Sequence, residues 1–379
     1  MNILFMNSIG VNTWGGGEKW MLTTGGGLRE RNHRVFFAGR NDSLFLRRCQ
    51  EHHFPTLPLN IKGDLGLGNI WRLMRFYREH HIDVVVTNFN KDVHLAGIAA
   101  RLSRQRPIVV ARNGLPILHN NWRYRLTYTH LVDGMITNTQ AIKDRYLSYG
   151  WLEDDFIRVI HNGIEVNQAP TVDPEAVRRK FDIPDQEPVL GIFGRLVKQK
   201  QHTVFLEVAH NIIKKWPEAL FLIVGDGPER ERIQAYAAEL QLIESVYFLG
   251  MQTEVAPLYR LCDVVLLTSE EEGQPNVVME AMLAARPVVA FDVGGVRELI
   301  PHEEVGIVVP LNDIYLMTQK TDELLQDPQR RRQMGERARA FIRENFSVDR
   351  MIREVELYLT GLYRRKSETK KTPRPEGKP

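Results

Sequence analysis

The sequence predicts a parallel α/β protein made of two Rossmann-like halves. Three observations carry this: short apolar strands alternate with amphipathic helices from end to end, each half holds six such strands, and a polar, Pro-containing stretch separates the halves.

In the first half the β-branched apolar runs fall at Ile3 to Met6, Val35 to Ala38, Val84 to Thr87, Ile108 to Ala111, Met135 to Thr137 and Arg158 to Ile160. They lack strict alternation, as strands buried on both faces do. In the second half they fall at Val189 to Phe193, Leu220 to Val224, Val246 to Leu249, Val264 to Leu267, Val288 to Phe291 and Ile307 to Val309. The Asn-Gly turn in His161-Asn-Gly-Ile-Glu165 closes the first half, and the stretch from Gln168 to Pro188 reads as the hinge. Helical segments follow at 312–326, 329–345 and 348–365. This gives domains at 1–165 and 166–345, a final helix at 346–365 and a basic, disordered tail at 366–379. Gly25-Gly-Gly27 interrupts the predicted first helix, where each Gly costs about 1 kcal/mol relative to Ala. Either the helix stops there or another segment packs unusually close.

Composition is that of a soluble globular protein, 43% hydrophobic and 26% charged. The apolar run Ile3 to Met6 is too short for a signal peptide, and nothing approaches a membrane span. Two cysteines, Cys49 and Cys262, stand in separate halves and make neither a disulfide framework nor a zinc site, so a reducing cytoplasm is the simplest compartment. The formal charge of +3 hides an asymmetry: residues 1–165 hold 21 Lys and Arg against 14 Asp and Glu. That half should prefer an acidic partner or surface. Ile70-Trp-Arg-Leu-Met-Arg-Phe-Tyr-Arg78 and Trp122-Arg-Tyr-Arg-Leu-Thr-Tyr128 mix aromatic and basic residues, as helices lying on an anionic membrane do. On a helical wheel Trp71, Met74 and Tyr77 or Arg78 share one face, with Arg72 and Arg75 on another. No nucleic-acid-binding module is recognisable.

Chemistry concentrates in Thr268-Ser-Glu-Glu-Glu-Gly-Gln-Pro-Asn-Val-Val-Met-Glu-Ala-Met282. Gly273 and Pro275 break the chain after a strand, and a helix starts near Asn276. Glu272 then sits on a loop above the strand's carboxyl end and Glu280 in the first turns of the helix. Between them the amides of Asn276, Val277 and Val278 offer an anion site, because a helix N-terminus presents unpaired N–H groups and the positive end of a dipole. A phosphate flanked by two acceptors is the layout of a nucleotide sugar. Alone, the same residues also read as a solvated acidic loop and a carboxylate that steadies a helix start. Gly194-Arg-Leu-Val-Lys-Gln-Lys200 follows the strand that opens the second half. Gly194 lets the backbone turn, while Arg195 and Lys200 can converge on a diphosphate, one as a planar fork and one as a mobile point charge. Gly15-Gly-Gly-Glu18 is a Gly-rich loop after the first strand, whose Gly16 and Gly17 allow close backbone approach. Gly225-Asp-Gly-Pro-Glu229 lacks the third Gly of a dinucleotide fingerprint, with Arg230 in its place, and reads as a tight turn.

Segment 246–300 resembles the donor-binding half of the retaining glycosyltransferases of family 4, which carry a Glu, seven residues, Glu pattern. Val246-Tyr-Phe-Leu-Gly250, Leu258-Tyr-Arg-Leu-Cys-Asp263, Glu272-Gly-Gln-Pro-Asn276, Glu280-Ala-Met282, Pro287-Val-Val289 and Gly294-Gly-Val-Arg-Glu298 stand at the family's positions. The resemblance extends over roughly residues 1–350 and implies the GT-B fold, two Rossmann-like domains facing across a cleft with the final helix packing back on the first. It implies a nucleoside diphosphate sugar as donor, with Arg195, Lys200 and Gly194 on the diphosphate, Glu272 and Gly273 at the sugar and Glu280 on the ribose. It places the Gly16 and Gly17 loop opposite the donor.

Two departures stand out. Gln201 replaces the family's usual Gly, and Arg112 or Asn113 occupies the region where family members carry a His; the nearest, His119, reads as an ordinary exposed loop residue. The implied activity is retaining transfer to a glycan or lipid-linked acceptor in surface polysaccharide or lipopolysaccharide synthesis. No cofactor is expected, and no Asp-any-Asp metal motif occurs in the chain. A nucleotide-sugar epimerase of the same fold is the alternative, disfavoured by the missing His. A non-catalytic sugar-nucleotide-binding protein is a third.

Overall fold

A computed structural model describes residues 1–61, 66–166, 174–185 and 188–371. The chain divides into two compact units, one of residues 1–163 together with the segment from Val348, the other Ile164–Ser347. Of the stretch read as the hinge, residues 168–173 and 186–187 lie outside the described residues, as do residues 372–379 of the basic tail.

The first unit runs β1 (Asn2–Asn7), α1 (Gly16–Glu30), β2 (Arg34–Arg40), α2 (Leu44–Glu51), β3 (Thr56–Leu59), α3 (Leu67–Glu79), β4 (Val84–Thr87), α4 (Asn90–Leu102), β5 (Ile108–Asn113), α5 (Trp122–Leu131), β6 (Gly134–Thr137), α6 (Gln140–Leu147) and β7 (Ile157–Val159). Its seven parallel strands are ordered β3-β2-β1-β4-β5-β6-β7. All six strands read from the sequence are present. The seventh, β3, escaped notice because Thr56-Leu-Pro-Leu59 is short and contains a Pro, which only an edge strand tolerates.

Alternation along the strands sends Ile3 and Phe5 to one face and Leu4 and Met6 to the other. α1 and α2 cover the first face, and α3 and α4 cover the second, where α5 and α6 add their own apolar cluster. Ser43 and Thr139 cap α2 and α6 by accepting amide protons from Leu46 and Ile142, both at 3.2 Å.

The second unit runs α7 (Pro174–Lys180), β8 (Val189–Phe193), α8 (His202–Ile213), β9 (Leu220–Val224), α9 (Arg230–Glu239), β10 (Val246–Gly250), α10 (Ala256–Leu261), β11 (Val264–Leu267), α11 (Asn276–Leu283), β12 (Val288–Phe291), α12 (Val296–Leu299), β13 (Ile307–Val309), α13 (Ile314–Gln326) and α14 (Pro328–Asn345). Its six parallel strands are ordered β10-β9-β8-β11-β12-β13 and share a single core with the helices around them. Within this unit Ile164 bridges Ser347 and donates its amide to the Phe346 carbonyl at 2.8 Å, so the two ends of the unit lie side by side.

The last helix, α15 (Val348–Lys371), packs Met351, Ile352, Val355, Leu359 and Leu362 into the core of the first unit. It continues past Arg365, where the sequence pattern ended it. Residues 366–371, read as the start of a disordered tail, are helical because Lys and Glu are good helix formers and prolong a helix already nucleated by packing. Among the described residues no helix is long and apolar enough to cross a membrane. Both cysteines are free and buried, and burial pushes the Cys49 thiol up to about 12.

The glycine run in α1 now has its reason. The helix starts at Gly16, inside the stretch read as a Gly-rich loop, and continues through Gly25, Gly26 and Gly27. A Cβ on Gly25 would come within 2.6 Å of the Phe37 ring, and one on Gly27 would overlap Ile352 of α15, whereas one on Gly26 meets open space. Gly25 and Gly27 therefore set how closely α1 lies on β2 and α15. Gly26→Ala is expected to raise stability by up to about 1 kcal/mol. Gly27→Ala should lower it by about 1–3 kcal/mol through overpacking, partly recovered by Ile352→Val. Chemical denaturation of the single variants and the Gly27→Ala, Ile352→Val pair checks this; equal effects of the two Ala substitutions would refute the close-packing account.

Candidate active site

In both sheets the strand order reverses at one point, between β1 and β4 and between β8 and β11. Ligands of open α/β sheets bind outside the carboxyl ends of the strands at such a point. In the second unit the residues singled out in the sequence gather there. Gly194 follows directly on β8, the turn Lys198–Lys200 comes next, and Thr268 to Gly273 leave the end of neighbouring β11.

The Lys200 ammonium and the Glu272 carboxylate form an ion pair, with side chains 19% and 9% exposed. Their loops are also joined by neutral bonds. Glu270 N donates to the Gln199 carbonyl at 2.9 Å, and Gln199 Nε2 donates to the Glu271 carbonyl at 2.6 Å. Thr268 Oγ1 donates towards the carbonyls of Lys200, at 2.9 Å, and Gln201, at 3.1 Å. Thr268, which sequence reading passed over, thus holds the loop that carries Lys200.

Gln201 has φ of +47°, the left-handed region, which explains the Gly that family members usually have here. A side chain in that conformation costs roughly 1–2 kcal/mol. The Thr268 hydroxyl and the start of α8 fix the backbone there. Arg195 is exposed and makes no ion pair among the described residues. Gly273 and Gln274 are buried behind Glu272, with Gln274 Nε2 3.2 Å from Met279 Sδ.

Close backbone approach shapes the rim. Gly225, at φ of +145°, lies directly against the backbone of Gly194, and the Asp226 carbonyl accepts the Leu196 amide at 3.0 Å. The Gly-Asp-Gly-Pro turn is therefore a brace under the Arg195 loop. Gly294, at φ of +51°, lies likewise against the Glu272 carbonyl, and Gly295 N donates to the Gly273 carbonyl at 2.8 Å.

α11 begins at Asn276 after Pro275, with no side-chain cap. Of the three amides read as an anion site, that of Val278 donates to the Pro275 carbonyl at 3.1 Å, and those of Asn276 and Val277 are not engaged in that turn. Glu280, half-buried, accepts the Tyr259 hydroxyl proton at 3.0 Å, and the Tyr259 ring stacks on Phe193 at 3.8 Å. Burial first and then the Glu280 charge hold that phenol far above its ordinary range. Beneath Lys200, His202 is 2% exposed, and burial followed by the Lys200 charge pulls it down to about 4, so the ring is neutral near pH 7.

At the equivalent point of the first unit the polar groups are buried. Asn7 Nδ2 donates to Glu18 Oε1 at 2.7 Å. Arg112, 5% exposed, donates to Asn162 Oδ1 at 3.0 Å and lies 4.8 Å from the Trp20 ring centroid. Burial lowers its guanidinium to about 10 against the opposing charge of Glu18. Gly17 sits over this group, where a Cβ would be 3.0 Å from Asn88 Nδ2 and 3.6 Å from Arg112 Nη1; Gly16 is exposed. Asn113 is buried, with its amide 3.4 Å from the Tyr146 hydroxyl, and His119 is exposed against Tyr124. Asp92, missed in the sequence, is fully buried and accepts the Phe89 amide at 3.0 Å. Burial pushes its carboxyl up to about 7 against hydrogen bonds from Ser8 and Phe89.

The sequence pattern of the family described as "Glycosyl transferases group 1" matches residues 173–341, and that of "Glycosyltransferase Family 4" matches residues 14–168. An uncharacterized glycosyltransferase of Haemophilus influenzae is 25% identical over 91% of this chain and 96% of its own length. The N-acetyl-alpha-D-glucosaminyl L-malate synthase of Bacillus anthracis is 30% identical over 53% of this chain. A lipopolysaccharide core biosynthesis glycosyltransferase, LpsE of Rhizobium meliloti, is 28% identical over 59% of it. The matches span 52% and 63% of those two relatives' own lengths. Among solved structures, HepE of Anabaena in complex with UDP superimposes with a TM-score of 0.84 over 95% of this chain and 100% of its own, at 22% identity. The likeness to HepE is one of fold.

Asp92 and His202 should give stability opposite dependences on pH. The native Asp92 carboxyl keeps its proton up to about 7 while the unfolded one ionises near 3.8, so its contribution is lost as pH rises through that window. Native His202 stays neutral down to about 4 while the unfolded ring takes a proton near 6.5, so its contribution is lost as pH falls from 6.5 to about 4. Because the two windows overlap, the slopes offset each other in the wild type: denaturation curves should show Asp92→Asn making stability rise more steeply with pH between about 4 and 6.5, and His202→Gln making it fall more steeply between about 4 and 7. Each slope is about 1.4 kcal/mol per pH unit at most. Unchanged profiles would contradict the burial assignments.

Proposed function

We propose that this chain, which belongs to the group 1 and family 4 glycosyltransferases, is a retaining, metal-independent enzyme that moves a sugar from a nucleoside diphosphate sugar to a glycan or lipid-linked acceptor. The observation that carries the reading is the Lys200 and Glu272 pair set beside exposed Arg195 at the carboxyl ends of β8 and β11. Two cations, a carboxylate and the start of α11 on adjacent loops match the charge distribution of a nucleoside diphosphate sugar.

In the proposed complex the diphosphate lies on Arg195, Lys200, the Gly194 turn and the Asn276 and Val277 amides. Glu280 accepts from ribose hydroxyls, and Glu272 with the Gly273 backbone orients the sugar. Binding requires Lys200 to turn part of its hydrogen bonding from Glu272 to phosphate, which releases carboxylate lone pairs for sugar hydroxyls. The bond from the anomeric carbon to the diphosphate oxygen breaks with its electron pair leaving on that oxygen, and Arg195 and Lys200 stabilise the charge as it develops. The acceptor oxygen bonds the anomeric carbon on the same face, and its proton passes to the departing phosphate oxygen. No protein base is needed.

Gly16, Gly17, Arg112 and Asn113 belong to the acceptor side of the reading. Buried Arg112 acts there as a fixed positive charge under the Gly17 loop. The name borne by the Rhizobium meliloti relative, a lipopolysaccharide core biosynthesis glycosyltransferase, supports a role in surface glycan assembly. The basic charge of residues 1–165 supports work at the cytoplasmic face of an anionic membrane.

The test is nucleoside diphosphate release from a panel of nucleotide sugars, with thermal shift to find the donor. Lys200→Ala should lower kcat by about 10²–10³. Because it also strands the partly buried Glu272 charge, it should cost about 1–3 kcal/mol of stability. Glu272→Gln keeps the neutral bonds between the loops and should lose turnover while still showing the donor-induced thermal shift. Near wild-type turnover in either variant sinks the reading, and an epimerised sugar without released diphosphate would assign the site to an isomerase.

A further inference from the structure

We propose that the outer surface of the helical layer α3, α4 and α5 is a docking face for an anionic lipid bilayer, with Trp71 and Trp122 as its two insertion points. The inference rests on the membrane placement proposed above and gives it a surface.

The helical wheel drawn from sequence puts Trp71 with Met74 and Tyr77 or Arg78, and Arg75 on another face; in the structure Trp71 shares its outer stripe with Arg78 and also with Arg75, while Tyr77 faces the sheet. Ile70, Leu73, Phe76 and Tyr77 fill the face of α3 turned to the sheet, and Tyr77 is fully buried. Trp71 is 61% exposed, and Leu67, Trp71, Arg75 and Arg78 form one outer stripe at spacings of four, four and three. α5 repeats the arrangement: Thr127 and Tyr128 are buried, Trp122 is 70% exposed, and Arg123, Arg125 and Leu126 lie around it in solvent. Arg75 sits 5.9 Å from the Trp71 ring centroid and Arg123 5.5 Å from that of Trp122.

α4 packs against both helices on the same face of the sheet, so the two stripes belong to one layer. Among the described residues these are the two exposed tryptophans; Trp20 is buried, and Trp14, Trp151 and Trp216 are half-buried. Leu67, Trp71, Leu102, Leu115, Trp122 and Leu126, six of the thirteen large hydrophobic residues exposed in the described chain, lie on these helices or the loop into α5. Isolated exposed apolar residues need no explanation, but their concentration on one layer does.

Charge selects the partner. The three helices carry seven Lys and Arg against Glu79 and Asp92. Asp92 is buried, Arg75 is paired to Glu79 at 2.6 Å and Arg101 to Asp133 at 3.0 Å, which leaves Arg72, Arg78, Arg123 and Arg125 exposed and outside any ion pair among the described residues. An indole with a guanidinium beside it matches the headgroup layer, where the ring meets the acyl boundary and the cation meets lipid phosphate. Because the opposite faces of the helices are already packed on the sheet, docking requires no folding transition and leaves their core untouched.

The experiment is sedimentation of the full chain with vesicles of phosphatidylcholine containing phosphatidylglycerol, against phosphatidylcholine alone, at rising salt. The wild type should sediment with the anionic vesicles only and be released by salt. Trp71→Ala with Trp122→Ala should weaken partition at least about tenfold, and Arg75→Gln and Arg123→Gln about fivefold each, with melting temperatures unchanged because all four side chains are exposed. Wild-type chain that stays in the supernatant, or variants that partition equally, overturns the proposal. A dimer that dissociates in the tryptophan variant assigns the face to a second copy of the chain and overturns it too. The nucleotide-sugar thermal shift, measured without vesicles on the same samples, separates this outcome from a failure of the donor-site reading.

Discussion

The ion pair between Lys200 and Glu272 is the contact on which the candidate site depends. Both charges are largely withdrawn from water, a situation tolerated when each supplies the other's counter-charge. They come from residues 72 positions apart, brought together because β8 and β11 are neighbours where the strand order reverses. Everything near them serves that juxtaposition. Thr268 fixes the carbonyls of the Lys200 loop, Gln199 ties that loop to the Glu270 and Glu271 backbone, and Gly225 and Gly294 let supporting turns approach the two loops from beneath. In the proposed complex a phosphate takes over part of the hydrogen bonding that Lys200 gives the Glu272 carboxylate in this structure. Electrostatic preorganisation of this kind keeps the ammonium oriented before the donor arrives, so less reorganisation is left for the reaction itself.

Much of the fold was legible because parallel strands buried on both faces leave continuous apolar runs such as Val84-Val-Val and Val264-Val-Leu-Leu. What escaped was decided by tertiary packing. β3 is short, carries a Pro and joins the sheet only at its edge; the glycines of α1 look like helix breakers until Phe37 and Ile352 are placed against them. Whether Tyr77 or Arg78 accompanies Trp71 is left open by the helical wheel, and packing decides for Arg78. Ile70, Leu73, Phe76 and Tyr77 already fill the inner face of α3.

At the site the motifs identified the residue types but not their partners. That Lys200 would pair with Glu272, or that Glu280 would accept the Tyr259 hydroxyl proton, depends on strand order, which sequence spacing does not contain. The positive φ of Gln201 was hinted at by its occupying a position where a Gly is usual. Asp92 gave no signal at all, because a single carboxylate near a helix start looks the same whether it is exposed or fully buried.

The two units share the order of their central strands and differ in what they place at the reversal point. In the second, Arg195 is exposed and Lys200 and Glu272 are held by each other, an arrangement that an incoming anion can rearrange at small cost because Lys200 has further donors to offer. In the first, Asn7 holds Glu18, Asn162 holds Arg112, and Gly17 covers them closely. A buried guanidinium within such a network cannot move to meet a ligand, but its field reaches past the glycine, where no side chain intervenes. The second unit thus has charges held at the strand ends that an incoming diphosphate can engage, while the first has a charge locked in a buried network. That difference, arising on one strand order from which side chains stand at the ends of β1, β4, β8 and β11, is the physical basis for assigning the donor to one unit and the acceptor to the other in the proposed reaction.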